Sequence, residues 1–381
     1  MEPLSEELSS LSINDKGAQS HVHCKKFGHV NLTAYPKQAF HFFKESREIG
    51  TITHRYDDER YIINDKSGLP RLNSDICEYK KDRNKNKIRK YLGHNMTTGF
   101  ESFEPLPLAV LEDMRGVFLF MERFEAKNGT KFNQNNKFTI VSARHHLIDL
   151  IMCPFSKEDV SLVVTYVDGY LYFSPDSRRA KKDTGIHSKS THMRRICYTG
   201  FELENLVTQP LAENQRSCFF SMIEGKINDN IGVLLKAEMD CHDDFHETYT
   251  EIKCSTDFKL NNQHHRRKLL RMWVQTSLVP QTDLLIGFRD PYYNQLSALQ
   301  SYTRNQLYHK FNNKNMKVDR MHLNYNANIS VQWFHHLIEQ LCDLVENNIK
   351  DNRQQSFRVM LSKELCLSIE ALSKTPKGAI P

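Results

Sequence analysis

Two short charged segments in the second half of the chain place the strongest constraint on its fold. Residues 236–241 read Lys-Ala-Glu-Met-Asp-Cys and residues 249–254 read Tyr-Thr-Glu-Ile-Lys-Cys, so each alternates in the manner of a β-strand. The connection between them, residues 241–247, is polar and short enough for a hairpin or an irregular turn. We therefore expect two neighbouring strands in one sheet.

The ionisable side chains of these segments are predicted to converge. Glu238 and Asp240 fall on one face of the first strand, and Glu251 and Lys253 share a face of the second. Three adjacent carboxylates repel one another unless a divalent cation lies among them, and such oxygen ligands suit Mg²⁺ or Mn²⁺. A lysine beside the metal can stabilise charge on a phosphorus oxygen or orient the attacking water.

The pattern thus indicates metal-assisted phosphodiester hydrolysis. The alternative is chance, because Glu-x-Asp and Glu-x-Lys are frequent and an alternating charged strand is more often a solvated sheet face. Cys241 beside His242 suggests a nucleophile and base, but neighbours on a strand point to opposite faces. Gly-x-Ser-x-Gly, P-loop, Gly-x-Gly-x-x-Gly and His-Glu-x-x-His motifs do not occur.

The composition fits a globular protein with a substantial core, since 39% of the 381 residues are hydrophobic and 26% are charged. The most apolar windows, residues 116–121 and 160–167, are too short to span a membrane. The acidic start lacks a signal-peptide pattern, so we expect the cytoplasm, with the nucleus as the alternative. Nine cysteines without a Cys-x-x-Cys pair predict reduced thiols.

Basic residues occur in clusters, and the net charge is +6. The clusters are residues 80–90, 178–182 and 264–268. Each is able to hold phosphates, although a basic run is usually a solvated loop, and we expect residues 80–90 to form an exposed connection.

Periodicity along the chain predicts a mixture of strands and helices in a single α+β domain, with mixed β-sheets flanked by helices. This domain should cover residues 21–375, between a disordered tail at 1–20 and a loose tail at 376–381. The predicted strands are 50–56, 59–63, 160–173 with a turn at Asp168-Gly169, 217–224, 231–240, 248–255, 284–288 and an edge strand at 356–360. The predicted helices are 106–125, 144–151, 200–207, 268–275, one with Ser330 as N-cap, and 364–373.

The order of the motifs is more specific than any one of them. The motifs are Ala143–Leu147 with its arginine, Gly200–Glu204, Glu238–Asp240, Glu251–Lys253 and Lys268–Gln275. This succession resembles the DXO/Rai family of eukaryotic RNA 5′-end decapping nucleases, and the resemblance extends from about residue 45 to 360. It implies a PD-(D/E)xK-like nuclease site in a pocket over the sheet.

The resemblance also implies a metal site. Glu238, Asp240 and Glu251 would bind Mg²⁺ or Mn²⁺ directly, together with the main-chain carbonyl of Ile252. Glu204 would act on the metal through water.

The remaining implied roles concern the substrate. Lys253 and Gln275 would position the scissile phosphate and the nucleophilic water, and Arg144 would hold a phosphate of the RNA. One departure is Gly-Phe-Glu-Leu-Glu at 200–204, where relatives read Gly-Tyr-Lys-Phe-Glu. Glu202 in place of lysine puts local packing and substrate preference in doubt, but not the acid Glu204.

By this resemblance the chain should remove the cap as a dinucleotide and degrade RNA distributively from its 5′ end. We also expect a monomer without membrane association. Two alternatives stay open. The first is an RNA 5′ pyrophosphohydrolase that binds and activates a nuclear 5′-to-3′ exonuclease. The second is a DNA nuclease with the same fold.

Overall fold

The computed structural model describes residues 22–26, 41–156, 158–178, 185–211, 216–311, 326–349 and 354–381. These ranges contain fourteen strands and eight α-helices. The strands are β1 Val22–Lys26, β2 Lys44–Arg55, β3 Arg60–Ile63, β4 Phe138–Ala143, β5 Val160–Val167, β6 Tyr170–Pro175, β7 Ser217–Asn228, β8 Ile231–Glu238, β9 Cys241–Asp243, β10 Thr248–Ser255, β11 Thr282–Arg289, β12 Leu296–Thr303, β13 Gln355–Leu361 and β14 Cys366–Ala371. The helices are α1 Ser74–Asp82, α2 Leu108–Leu111, α3 Arg115–Asn128, α4 Arg144–Met152, α5 Thr191–Val207, α6 Gln263–Ser277, α7 Arg304–Phe311 and α8 Ala327–Glu346.

The strands form two mixed sheets. The ten-stranded sheet has the order β1-β14-β13-β5-β6-β4-β8-β7-β2-β3, and its β4 runs parallel to both β6 and β8. The four-stranded sheet has the order β12-β11-β10-β9, and its β10 and β11 are parallel. Parallel neighbours need a long crossover, which α6 provides between β10 and β11. The expectation of an α+β fold with mixed sheets flanked by helices is confirmed.

Helices α4, α6 and α8 lie between the two sheets. The main core joins Ile140 and Phe173 of the large sheet to Ile286 of the small sheet, and it includes Trp273 of α6 and Phe334 of α8. A strand covered on both faces needs apolar side chains on both, and every residue of β4 is accordingly buried. This layer carries α4 and α6 to the line where the sheets meet.

The outer faces of the sheets have separate cores. Helix α3 covers the large sheet, where Phe120 packs with Met222 and Leu234. Helices α1 and α5 cover the small sheet, where Ile76 and Leu203 pack with Ile252. Among the helices of the described ranges, none has the length and apolar character needed to cross a bilayer.

The prediction that the two acidic strands are neighbours in one sheet is wrong. Strand β8 pairs with β4 and β7 in the large sheet, whereas β10 pairs with β9 and β11 in the small one. The expected hairpin exists, but its first arm is β9, which comes after the acidic pair Glu238 and Asp240. The chain crosses from one sheet to the other at Met239-Asp240, so the site lies at the junction of two sheets and not over one.

Several predicted elements have different bounds. The helix expected at 106–125 is interrupted at 112–114 between α2 and α3, and α8 is capped by Asn326, whose side chain accepts from the Ile329 amide, instead of by Ser330. Strand β13 is not an edge strand, because it pairs with both β5 and β14. Within the helix expected at 364–373, residues 366–371 form strand β14 instead, since Leu367 and Ile369 are buried with the two-residue period of a strand.

The basic run 80–90 is not simply an exposed connection. It begins inside α1, and Lys80 is buried with only 3% of its side chain exposed. Its ammonium lies 2.7 Å from Asp243 Oδ2 and donates to Thr250 Oγ1 at 3.0 Å. Lys80 therefore connects α1 to the small sheet, because Asp243 of β9 neutralises its charge and Thr250 of β10 accepts its hydrogen bond.

The cysteines differ in part from the expected reduced state. Cys366 is disulfide-bonded, so the prediction that all thiols are reduced is wrong at this position, while the free cysteines are Cys77, Cys153, Cys197, Cys218, Cys241, Cys254 and Cys342.

In the tail 376–381, expected to be loose, Ala379 is buried and Ile380 packs against the α3 core. The tail 1–20 and residues 179–182 of the second basic cluster lie outside the described residues.

Candidate active site

The predicted site residues meet where the large sheet ends and the small sheet begins. Glu238 is the last residue of β8, and Asp240 lies in the two-residue link to β9. Glu251 and Lys253 lie within β10. The site is thus built across the junction, because the same short link ends one sheet and starts the other.

Lys253 is the centre of the cluster. Its ammonium donates to Asp240 Oδ2 at 3.0 Å, to Glu251 Oε2 at 3.1 Å and to the carbonyl of Ile252 at 2.9 Å. The amide of Ile252 donates to the same Asp240 oxygen at 2.6 Å. Burial alone would lower the pKa of Lys253, but Asp240 and Glu251 raise it above its ordinary value, so the ammonium stays charged.

Arg144, the first residue of α4, links the two sheets. Its Nη1 is paired with Glu251 Oε1, and its Nη2 donates to the main-chain carbonyl of Glu238 at 2.6 Å. Glu251 is fully buried, which would raise its pKa, yet Arg144 and then Lys253 hold that pKa below its ordinary value. Arg144 therefore keeps a buried carboxylate ionised, in addition to the phosphate-holding role that the resemblance implies.

Two helices complete the cluster. Gln275 of α6 donates from Nε2 to Glu251 Oε2 at 2.5 Å, and Glu204 of α5 faces the same group of charges. Burial, followed by the negative charge of Asp240, raises the pKa of Glu204 well above its ordinary value. Burial also raises the pKa of Asp240 to about 6, with Lys253 opposing and Glu251 adding to the shift.

The charges of the cluster fit a divalent cation. Four carboxylates, those of Glu204, Glu238, Asp240 and Glu251, share the site with two cationic groups, Arg144 and Lys253. The formal excess is two negative charges, and neighbouring carboxylates add to the effect of burial in raising the pKa values of Glu204 and Asp240. Carboxylate and carbonyl oxygens are the ligands that Mg²⁺ and Mn²⁺ prefer, so the donor set matches the expected ion.

Sequence reasoning missed residues that border this cluster. Cys218 of β7 donates from Sγ to Glu238 Oε1 at 3.2 Å. Lys236 of β8 is buried, donates to the carbonyl of Asp113 at 2.8 Å and lies 4.6 Å above the ring of Phe220. No local signal could have identified them, because only the pairing of β7 with β8 and the position of the 112–114 link bring them here.

Glu202, which departs from the family pattern, has its own partners. Its carboxylate lies 2.6 Å from His94 Nε2 and accepts from the Tyr198 hydroxyl at 3.1 Å. Its contacts are therefore with the loop that precedes α2 and with its own helix. Glu202 thus takes part in local packing, apart from the charges that Glu204 faces.

The site combines acids from two sheets with a strand that carries a Glu-x-Lys motif, and the sheets are mixed and flanked by helices. This combination defines a metal-dependent nuclease of the PD-(D/E)xK class. The chain matches the family described as RAI1 like PD-(D/E)XK nuclease over residues 44–380. It belongs to this family.

Relatives from yeasts cover most of the chain. The decapping and exoribonuclease protein 1 of Saccharomyces cerevisiae is 38% identical over 369 residues, which span 92% of this chain and 81% of the relative. The protein of the same description from Kluyveromyces lactis is 35% identical over 392 residues, or 98% of this chain and 96% of the relative.

Solved structures share the fold. The crystal structure of K. lactis Dxo1 in complex with manganese superposes with a TM-score of 0.74 at 31% identity, and covers 93% of this chain and 99% of that one. Candida albicans Rai1 in complex with pU5 and Mn²⁺ superposes with a TM-score of 0.70 at 17% identity, covering 90% and 97%. The second likeness shows the fold alone. The roles assigned above to individual site residues stay predictions.

Proposed function

We propose that this protein is a metal-dependent decapping nuclease that releases the RNA cap as a dinucleotide and then degrades the RNA distributively from its 5′ end. The observation that carries the proposal is the excess of negative charge around Lys253 at the sheet junction, where Asp240 and Glu251 converge. The names of the yeast relatives, which describe decapping and exoribonuclease proteins, support the choice of RNA as substrate.

The chain's own residues have distinct tasks in this reaction. Glu204, Glu238, Asp240, Glu251 and the carbonyl of Ile252 would hold the ion. When bound, Mg²⁺ or Mn²⁺ would supply Lewis-acid stabilisation of the phosphate oxygens and a more acidic water. Glu238 is the most exposed of these acids, so it marks the side from which substrate arrives.

The polar groups around the acids position the reactants. Lys253 keeps 27% of its side chain exposed, and its charged ammonium can donate to an oxygen of the scissile phosphate. Gln275 and Arg144 fix the Glu251 carboxylate from two sides, so the acid cannot change rotamer when substrate binds. A fixed donor such as the Lys253 ammonium would stabilise developing charge without reorganisation during the reaction.

A cap-release assay tests the proposal. Full-length protein, the E238A/D240A variant and a matched control, E122A/E364A, which removes two exposed acids, are incubated with cap-labelled RNA and Mn²⁺. The wild type and the control should release a labelled cap dinucleotide followed by mononucleotides, whereas E238A/D240A should release neither. Full activity of E238A/D240A would reject the site, and release of pyrophosphate in place of the dinucleotide would favour the pyrophosphohydrolase alternative. A parallel assay on single-stranded DNA tests whether the substrate is RNA.

We further propose that the protein acts as a monomer in the cytoplasm, within RNA quality control, and without an exonuclease partner. The proposal is supported by a difference in sequence identity. This chain is 38% and 35% identical to the two decapping and exoribonuclease relatives, but 25% and 24% identical to two proteins described as decapping nuclease RAI1. Light scattering on the purified chain tests the monomer, affinity capture from cell extract tests the absence of an exonuclease partner, and imaging of a tagged copy tests the location. Capture of a 5′-to-3′ exonuclease in stoichiometric amounts would contradict the proposal.

A further inference from the structure

A second group of metal-ligand side chains lies beside the nuclease site. Glu112 is in the link between α2 and α3, and His145 and His146 directly follow Arg144 in the first turn of α4. One ligand atom from each of the three residues lies within 4.8 Å of the others. The sequence predicts a helix over residues 144–151 that contains both histidines, without a functional role for either.

The distances within the group match one small ion. His145 Nε2 lies 3.1 and 3.0 Å from the two carboxylate oxygens of Glu112, and His146 Nε2 lies 3.2 Å from Oε2. Ligands that bind Zn²⁺ tetrahedrally at about 2.0–2.2 Å stand about 3.3 Å from one another. The three ligand atoms therefore need only small movements to share an ion.

The buried imidazole ring of His146 has unsatisfied hydrogen-bonding atoms. It is 4% exposed, and neither of its ring nitrogens has a hydrogen-bond partner within the described part of the chain. The contact of its Nε2 with Glu112 is at ion-pair distance but lacks hydrogen-bond geometry. Buried polar atoms without a partner are rare, and a bound ion or water is the usual explanation.

The position of the two histidines in the helix also bears on metal binding. Both lie at the amino-terminal, positive end of α4, next to Arg144, where an additional positive charge is unfavourable. Neutral imidazole is the form that binds metals.

We propose that Glu112, His145 and His146 bind a transition-metal ion of the Zn²⁺ class, separate from the ion of the nuclease site. Two histidines and one glutamate are a known three-ligand set for Zn²⁺, with water or another ligand in the fourth position. The His145 side chain is 42% exposed, which leaves that position open to solvent.

The ion would stabilise the segments on one side of the nuclease site. Glu112 precedes Asp113, whose carbonyl accepts from Lys236 on the strand that ends at Glu238. The histidines follow Arg144, which holds Glu251. One ion therefore ties the 112–114 link to the helix that carries Arg144.

Direct metal binding tests the inference without relying on RNA cleavage. Full-length E238A/D240A protein, in which the nuclease site is weakened, is stripped with chelator and titrated calorimetrically with Zn²⁺. The same protein is titrated with Co²⁺, whose visible absorption reports tetrahedral coordination. We expect one tight site with a tetrahedral Co²⁺ spectrum.

Variants locate the site. Adding H145Q/H146Q, or E112Q alone should the double change prevent folding, should weaken Zn²⁺ binding at least ~100-fold, because loss of a ligand exceeds the 10–100-fold effect of losing an outer partner. The matched control is H264Q/H265Q, another adjacent histidine pair in the first turn of a helix, and it should bind Zn²⁺ as the parent does. No tight binding by the parent, or equal binding by E112Q, overturns the inference and leaves the proposed nuclease function untouched.

Discussion

Replacing Lys80 by methionine should destabilise the small sheet, because this lysine is the positive charge on which two carboxylates depend. Its ammonium lies 2.7 Å from Asp243 Oδ2 and 3.4 Å from Asp283 Oδ2, and the Asp243 side chain is completely buried. Methionine has nearly the same length and shape without the charge. The variant therefore removes the positive charge beside the buried Asp243, which keeps its hydrogen bonds from the amides of Phe245 and His246, while the packing stays nearly the same.

The magnitude follows from two independent arguments. Removal of one partner from a buried ion pair typically costs about 3–5 kcal/mol. Burial would raise the pKa of Asp243, but the hydrogen bond and charge of Lys80, followed by hydrogen bonds from Cys77 and His246, hold it at about 2 instead of 3.8. That difference corresponds to about 2.5 kcal/mol of stability at neutral pH. We expect Lys80→Met to lower the free energy of unfolding by roughly 3 kcal/mol.

The pH dependence has a defined sign. A carboxyl group with a depressed pKa contributes stability that is present above its unfolded value and is lost as the pH falls through its folded value. The difference between wild type and Lys80→Met should therefore be largest near neutral pH. It should shrink between about pH 4 and pH 2, where Asp243 becomes protonated.

Urea unfolding followed by tryptophan fluorescence measures the effect, since Trp273 and Trp333 are both buried. Lys81→Met is the matched control, because Lys81 is the next residue of α1 and is exposed, so its replacement should cost no more than about 0.5 kcal/mol. Adding Asp243→Asn to Lys80→Met should recover part of the loss. A cost below about 1 kcal/mol, or one equal to that of Lys81→Met, would show that Asp243 does not depend on the charge of Lys80.

Three further predictions concern the nuclease site. Glu204→Gln should stabilise the metal-free protein, because burial and Asp240 raise the pKa of this acid, and it should reduce the rise in melting temperature that Mn²⁺ produces; a less stable metal-free variant would contradict this. Arg144→Met should cost about 3–5 kcal/mol in urea unfolding and abolish cap release, since Glu251 loses its partner in the buried pair, and a fully active variant would exclude both roles of the arginine. Mn²⁺ affinity, measured by calorimetry, should fall as the pH drops below about 6, where Asp240 becomes protonated and loses its charge; equal affinity at pH 5 and pH 7.5 would show that this carboxyl does not bind the ion.

Local pattern was sufficient for much of the fold. The strands around Asp168-Gly169, the strand that ends at Glu238 and the strand with Glu251 and Lys253 all follow from alternation and turn residues. One prediction failed at residues 364–373, where a short apolar period fits either a helix or a strand. Another failed at the start of α8, where Ser330 and Asn326 are both suitable N-cap residues and Asn326 is the one used. Periodicity reports which side chains are buried, not which strands pair.

The amino-acid sequence by itself determined the α+β class, the acids and the lysine of the nuclease site, and the family to which they point. These depend on residue types at short spacing, which a chain displays without folding. Only the tertiary structure decided that Glu238 and Glu251 belong to different sheets, that Lys80 is buried against Asp243, and that Glu112 meets the histidine pair after Arg144. The physical reason is that these features depend on contacts between distant segments and on the removal of water from charges, neither of which has a local signature.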